Sequence, residues 1–387
     1  MIDPERVLAP GELVWDARGR LQSVRQARGK VADVCVLPGL VNAHAHLQLS
    51  PLPDAPRVFL PWVAAVMAQR AATNVRAERA QLQASLDASW RGGATAIGDI
   101  DSSGRSLPAM AAAGFAGRCY RELTGFHLES RPAHALLRER RQQALGAVAV
   151  GWSPHAPYSV SPALFRVAAG DRRHLAVHCA ELPEEQQFLR TGNGPFADLL
   201  HALGRLPAGF EPPGVGAVRW LERLGLLRPG TLLVHGQELE RGDVPRLAGS
   251  GASIVVCPGT IAYFGRTPPP VPRWLAAGIP VALGTDSLAS NDGLSMQREL
   301  QRAAGFWPEL SLQQLLTMAT RNGAHGIGRP GLGRLQRGGR ADFVVVSATG
   351  RSDPWQAVAA FLGGEPLLQV VGAGVPRCGL ASNGSPT

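Results

Sequence analysis

The sequence predicts an α/β protein: a (β/α)8 TIM barrel joined to a small β-sandwich domain that both termini build. Three observations carry the prediction. Eight short apolar runs alternate with helical stretches between residues 38 and 322, and strands that alternate with helices pair in parallel through crossovers. Several of the runs end in a residue suited to gripping a cation: His44 and His46, then His178, His235 and Asp286. Such residues meet at one point only when the parallel sheet closes on itself, and active sites of these barrels sit at that C-terminal face. Finally, strand grammar without helices returns at both ends of the chain.

Taken in order, residues 1–36 read as short strands at 12–15, 21–24 and 31–36, broken by glycine and charge. The barrel is expected over 37–334. Its strands are expected at 38–44, 94–100, 115–121, 147–152, 174–179, 231–235, 252–257 and 280–285. Helical stretches fall at 59–69, 76–90, 184–189, 196–203, 217–224, 271–277 and 311–322. Strands return at 341–346, at 367–371 and from Gly374 onward, so 335–387 completes the β domain begun by 1–36. The small polar tail Ala381 to Thr387 is expected to be disordered.

A chain of 387 residues has room for a full barrel and an accessory domain. No window reaches the ~20 unbroken apolar residues that cross a bilayer. The opening Met1-Ile2-Asp3-Pro4-Glu5-Arg6 lacks the basic-then-apolar pattern of a secretory signal. Five widely spaced cysteines fit reduced, mostly buried thiols rather than a disulfide framework. A cytoplasmic protein is therefore expected. The net charge of +9 is almost all arginine, Lys30 being the one lysine. No arginine run interleaves with aromatics as a nucleic-acid groove requires, so the charge reads as an arginine-rich surface. Neither nucleic acid nor membrane is expected as a partner, and a homodimer is one assembly compatible with the sequence.

Within Pro38-Gly39-Leu40-Val41-Asn42-Ala43-His44-Ala45-His46, the two histidines are two residues apart at a strand exit, and side chains so spaced point the same way. Alone the pair is weak evidence. The later strand ends complete it, and three histidines with an aspartate suit one divalent ion, Zn²⁺ first and Fe²⁺ or Mn²⁺ next. A water on such an ion titrates near ~7, and hydrolysis then needs a proton carrier beside it. Glu181, three residues past His178, starts the loop over the barrel mouth and fits that role. His155, in the Pro-flanked segment Trp152-Ser153-Pro154-His155-Ala156-Pro157, is a candidate substrate contact, as is Trp62. Glu122 and Asp99 stand near strand ends and are further pocket candidates. Cys179 alternates away from His178 and reads as core. His127, His134, His174, His201 and His325 show no ligand spacing.

These motifs in this order, with the closing Gly333-Arg334-Leu335-Gln336-Arg337-Gly338-Gly339-Arg340-Ala341-Asp342, resemble the amidohydrolase superfamily over nearly the whole chain. The subgroup resembled holds metal-dependent deaminases and chlorohydrolases, and within it the aminodeoxyfutalosine deaminases of menaquinone synthesis most. The resemblance implies that His44, His46, His178 and Asp286 bind one metal. It implies that Glu181 shuttles protons, that His235 positions the hydroxide and that Asp286 accepts a proton from water. The activity implied is hydrolytic deamination of an adenine-type nucleoside. The alternative is hydrolysis of another C–N or C–Cl bond of a heterocycle. A benzoate-bearing substrate of this kind calls for an arginine near the mouth, with Arg57, Arg121 and Arg266 as candidates. The sequence departs from the subgroup at Gln48, at Cys257-Pro258-Gly259-Thr260-Ile261 and in its short N-terminal β segment.

Overall fold

The computed structural model describes residues 1–379; the expected disorder at 381–387 lies outside the described residues. Eight parallel strands follow one another in chain order. They are β1 (Leu40–Ala45), β2 (Ala94–Asp101), β3 (Ala116–Leu123), β4 (Val148–Pro154), β5 (Leu175–Cys179), β6 (Thr231–His235), β7 (Ser253–Val256) and β8 (Val281–Leu283). The ring closes between β8 and β1 through a single parallel bridge, Ala45 to Asp286. At that seam the amides of Thr285 and Asp286 both donate to the His44 carbonyl at 3.1 Å. Every residue of β1, β2, β3 and β5 is buried, as expected of strands covered on both faces.

Two cores flank the ring. Inside, Val41, Ala43, Ala96, Ala116, Val234, Val255 and Ala282 pack with Ala324 and Ile327, which follow the last barrel helix. Outside, the other strand faces pack under the helices in one large core that includes Cys179. Side-chain caps set several helix starts: Asn74, Ser161, Ser295 and Ser311 each accept from a backbone N–H three residues on, which satisfies a donor the helix itself leaves open. The stretch read as one helix over 311–322 divides into an α-helix, Leu312–Thr317, and a π-helical turn, Met318–Asn322. Through that turn Asn322 donates from its side chain to the Val281 carbonyl of β8 at 2.9 Å.

The terminal segments build a four-stranded antiparallel sheet in the order Val375–Gly379, Gln369–Gly372, Phe343–Ser347, Val34–Pro38. A hairpin of Gly11–Trp15 and Leu21–Gln26 accompanies it. Leu21, Leu335, Ala341, Phe343 and Val371 form a separate small core with Leu13, Val24 and Val36. The strand Val34–Pro38 runs past the expected boundary at 36, and Gly39 turns the chain straight into β1. A Cβ at Gly39 would stand 2.2 Å from Thr95 Oγ1, so only glycine fits between sheet and barrel there. The helix Pro354–Leu362 lies in a segment that read as strands alone. Pro354 holds its first turn, and the Asp353 side chain accepts from Trp355 N.

Candidate active site

The ends of β1, β5, β6 and β8 bring His44, His46, His178, His235 and Asp286 together over the barrel mouth. Two of these residues hold backbone conformations that side chains rarely adopt: His235 has φ of 77° and Asp286 of 56°. Ala180, just before Glu181, has φ of 52°. Left-handed non-glycine residues cost of order 1–3 kcal/mol each and persist where the surroundings enforce them. Here they turn the chain sharply at the strand ends and aim the side chains inward.

His44, His46 and His178 offer ligand atoms that all lie within 4.8 Å of one another. His46 Nε2 stands 3.3 Å from His178 Nε2. Two ligands on one tetrahedral ion with 2.0–2.1 Å bonds are about 3.3–3.4 Å apart. The His178 Nδ1 lies 3.0 Å from the His155 carbonyl, which fixes that nitrogen as donor and leaves the Nε2 lone pair facing the cluster. His44 is wholly buried, and neither of its ring nitrogens has a hydrogen-bond partner. An imidazole orphaned in this way is costly unless a cation takes its lone pair. Asp286 Oδ1 lies 3.5 Å from His44 Nε2 and 3.7 Å from His46 Nε2. Its Oδ2 is occupied by donors from Thr260 at 2.9 Å and Ser290 at 2.8 Å. The donor set therefore fits a borderline divalent cation, with one carboxylate oxygen held away and the other turned in.

Burial sets the charge states. It lowers the His44 pKa to about 4 and those of His46 and His235 to about 3, so these rings are neutral near pH 7, the form that ligates metals. Burial works to raise Asp286, but the close approach of the His44 ring, 3.5 Å away, and of the neighbouring imidazoles holds its carboxyl well below the usual carboxylate range. Glu181 is raised, chiefly by burial, with Arg266 opposing. Its Oε1 accepts from Arg266 at 3.1 Å, its Oε2 lies 3.7 Å from His235 Nε2, and its backbone N–H donates to Glu185 at 2.9 Å.

A cavity of about 440 Å³ opens onto this cluster. One wall is aromatic and apolar: Phe59, Trp62, Val63, Val66, Met67, then Leu199, Leu200 and Leu203. Trp62 is fixed by donating its indole N–H to the Ala289 carbonyl at 2.7 Å, and its ring meets Phe59 and Phe264 within 5.6 Å. The other wall is polar, with Arg70, Ser102, Glu122, Thr124 and Arg140. His155 lines the cavity, its Nδ1 2.7 Å from Ser159 Oγ and its ring 4.8 Å from that of His178.

Other sequence candidates lie elsewhere. Asp99 accepts the Leu47 N–H at 2.8 Å and so shapes the loop after His46 from beneath. Arg121 pairs with Asp101 at 3.2 Å, because strand alternation turns it away when Glu122 faces the cavity. Arg57 lies over the Tyr263 ring. Only Arg266 of the three expected arginines reaches the site, through Glu181 and over Phe264 at 4.5 Å. Arg70, Arg140, Arg205, Thr260 and Ser290 were not found from sequence. Arg70 alone left a signal: with Trp62, Val63, Val66 and Met67 it shares one helical face.

The chain matches the model of the Amidohydrolase family over residues 35–374. It belongs to the amidohydrolase family. Among its relatives is the aminodeoxyfutalosine deaminase of Deinococcus radiodurans, 32% identical, with 84% of this chain and 82% of that protein covered. The 5-methylthioadenosine/S-adenosylhomocysteine deaminase of Nitratidesulfovibrio vulgaris is 28% identical, over 82% of this chain and 72% of the relative. Two solved structures share the fold of this amidohydrolase. Helicobacter pylori aminofutalosine deaminase in complex with methylthio-coformycin has a TM-score of 0.79 at 20% identity, covering 94% of both chains. The atrazine chlorohydrolase TrzN of Arthrobacter aurescens, complexed with zinc, has a TM-score of 0.78 at 22% identity, covering 96% of this chain and 92% of that one. Among the described residues, no helix of this amidohydrolase is long and apolar enough to cross a membrane.

Proposed function

We propose that this amidohydrolase is a metal-dependent deaminase of adenine-type nucleosides, with aminodeoxyfutalosine as its preferred substrate. The observation that carries the reaction class is the placement of Glu181 and His235 beside the His44, His46, His178 and Asp286 cluster at the floor of one cavity. The likeness to the Deinococcus radiodurans deaminase supports the substrate, as does a cavity with one aromatic and apolar wall.

His44, His46, His178 and Asp286 would hold a single divalent cation, zinc being favoured by the nitrogen-rich donor set. Bound there, it supplies Lewis acidity that makes a water acidic near neutral pH. Glu181, its pKa raised by burial, hands a proton to a ring nitrogen, and water adds to the adjacent carbon that carries the amine. Asp286, ionised and with Oδ1 turned inward, takes a proton from the attacking water. Neutral His235 orients that water with its Nε2. The water's two protons complete the exchange: one reaches the amine through Glu181, so ammonia leaves as the hydroxyl becomes the ring carbonyl, and the other restores Glu181, with no redox change. Trp62 and His155 border the ring and keep bulk water off it.

The test is a panel of aminodeoxyfutalosine, adenosine, 5-methylthioadenosine and a chloro-heterocycle, read by ultraviolet shift and by ammonia. Ammonia from the nucleosides is expected. Release of chloride or of another leaving group, with no ammonia from any nucleoside, refutes the proposal.

A further inference from the structure

Glu122 takes no part in the steps above, yet its surroundings are those of a binding group. It ends β3, is 4% exposed, and lines the cavity. One carboxylate oxygen, Oε2, accepts from Arg70 at 3.1 Å, and its backbone carbonyl accepts from Arg140 at 2.8 Å. Among the described residues no hydrogen bond reaches the second oxygen, Oε1. Burial alone would raise this carboxyl; the Arg70 guanidinium beside it, 3.1 Å away, outweighs burial and holds the group ionised, at about 2. A carboxylate this buried, with one oxygen held by Arg70 and the other facing the cavity, presents an acceptor to whatever binds there.

Position around the rim says which donor. Glu181 follows β5, His155 follows β4 and Glu122 ends β3, so the three occupy neighbouring sectors of one ring. Glu122 pairs in register with Ser153, and the His155 amide donates to the Leu123 carbonyl at 3.0 Å. A planar heterocycle protonated by Glu181 and bordered by His155 extends its far side toward β3. In a purine nucleoside that far side carries the sugar.

We propose that Glu122, oriented by Arg70, is the subsite for the vicinal diol of a ribose, with the open carboxylate oxygen accepting from a sugar hydroxyl. The assignment rests on the nucleoside reading above and narrows it: the enzyme selects ribonucleosides over free bases and over sugars without the diol. A carboxylate suits this task because O–H donors to an ionised acceptor make shorter, stronger bonds than neutral pairs. Loss of such a partner also leaves the protein group unpaired, so discrimination is steep.

The experiment compares adenosine, 2′,3′-dideoxyadenosine and free adenine on the wild-type metal-loaded enzyme and on Glu122→Gln. The wild type is expected to prefer adenosine over the dideoxy compound by roughly tenfold or more in kcat/KM. Glu122→Gln should lose most of that factor on adenosine, mainly through KM, and change the dideoxy rate by less than about threefold. Equal losses on both nucleosides would mean that Glu122 only shapes the site, and would overturn the assignment. Should the variant fail to fold, the wild-type comparison decides alone: no preference for the diol refutes it. Turnover of free adenine with neither nucleoside accepted overturns the subsite while leaving deamination intact. No ammonia from any of the three, nor from aminodeoxyfutalosine, overturns the functional reading together with the subsite.

Discussion

Replacing Gly284 with alanine tests whether the barrel seam holds the cluster in place. A Cβ there would stand 2.8 Å from the His44 carbonyl oxygen, 2.9 Å from its Cβ and 3.0 Å from its nitrogen. Ordinary contact begins near 3.4 Å, so the seam must open by about 0.6 Å at the carbonyl in a close-packed interior. Gly284 has no room to retreat, since its amide donates to Val256 of β7 at 3.0 Å. Overpacking of this kind costs about 1–3 kcal/mol. His44 and Asp286 flank the seam, and ligand distances tolerate only about ±0.2 Å. Metal affinity is therefore expected to fall roughly 10–100-fold, the usual cost of disturbing the support of a ligand. Urea denaturation of the metal-free protein reads the first effect, and competition with a chelator reads the second. A variant within about 0.5 kcal/mol of wild type that keeps full metal affinity would show that the seam does not position the site.

Glu181→Gln should retain fold and metal while kcat falls roughly 10²–10⁴-fold, the usual worth of a general acid–base group; steady-state kinetics on the best nucleoside checks it, and unchanged turnover removes Glu181 from the mechanism. Elemental analysis of freshly purified protein should find one divalent metal per chain; chelation should abolish ammonia release, and one equivalent of zinc should restore it. Two tightly held ions per chain would contradict the four-residue set. Burial raises Glu185 from 4.5 to about 8, so its folded form binds a proton more tightly than its unfolded form, and the stability it contributes below pH 4.5 is lost as pH rises toward 8. Glu185→Gln should therefore flatten the decline in urea midpoint between pH 5 and 8; parallel declines in the two proteins would refute this. Arg205 lines the cavity beyond Leu203, and Arg205→Ala is expected to raise KM several-fold for aminodeoxyfutalosine, through loss of a charge-assisted contact, and to leave adenosine unchanged. Equal KM shifts on both substrates would exclude an anion contact.

The residues at strand ends were legible because each follows an apolar run and barrel geometry alone carries such positions to one face. Helices and loops follow no such rule. Thr260 reaches Asp286 from a short helix, Pro258–Phe264, whose sequence stands out only as a departure from the subgroup and not as a site. Gly259 beside it could not carry a side chain, because a Cβ would meet the Asn291 amide at 2.1 Å. That closeness is invisible without the fold. Arg140 and Arg205 depend on how far a helix and a loop lean over the mouth, which pattern does not encode. Arg121 is different: its parity against Glu122 was available from the strand itself. Parity was a weaker guide in β1, where pairing to β2 shifts register between Asn42 and Ala45, although both histidines still reach the cluster.

The single bridge that closes the ring also has a consequence for the order in which the protein matures. The proposed ligands emerge from the ribosome across most of the chain, His44 first and Asp286 last. A nascent chain halted before β8 exposes the imidazoles but lacks the carboxylate and the neighbour that pins His44. If these four residues hold the ion as proposed, its loading is expected late in biogenesis, and domains that close late are vulnerable while they wait. Stalled chains ending before and after residue 286 should differ in zinc retention; equal retention would place loading earlier.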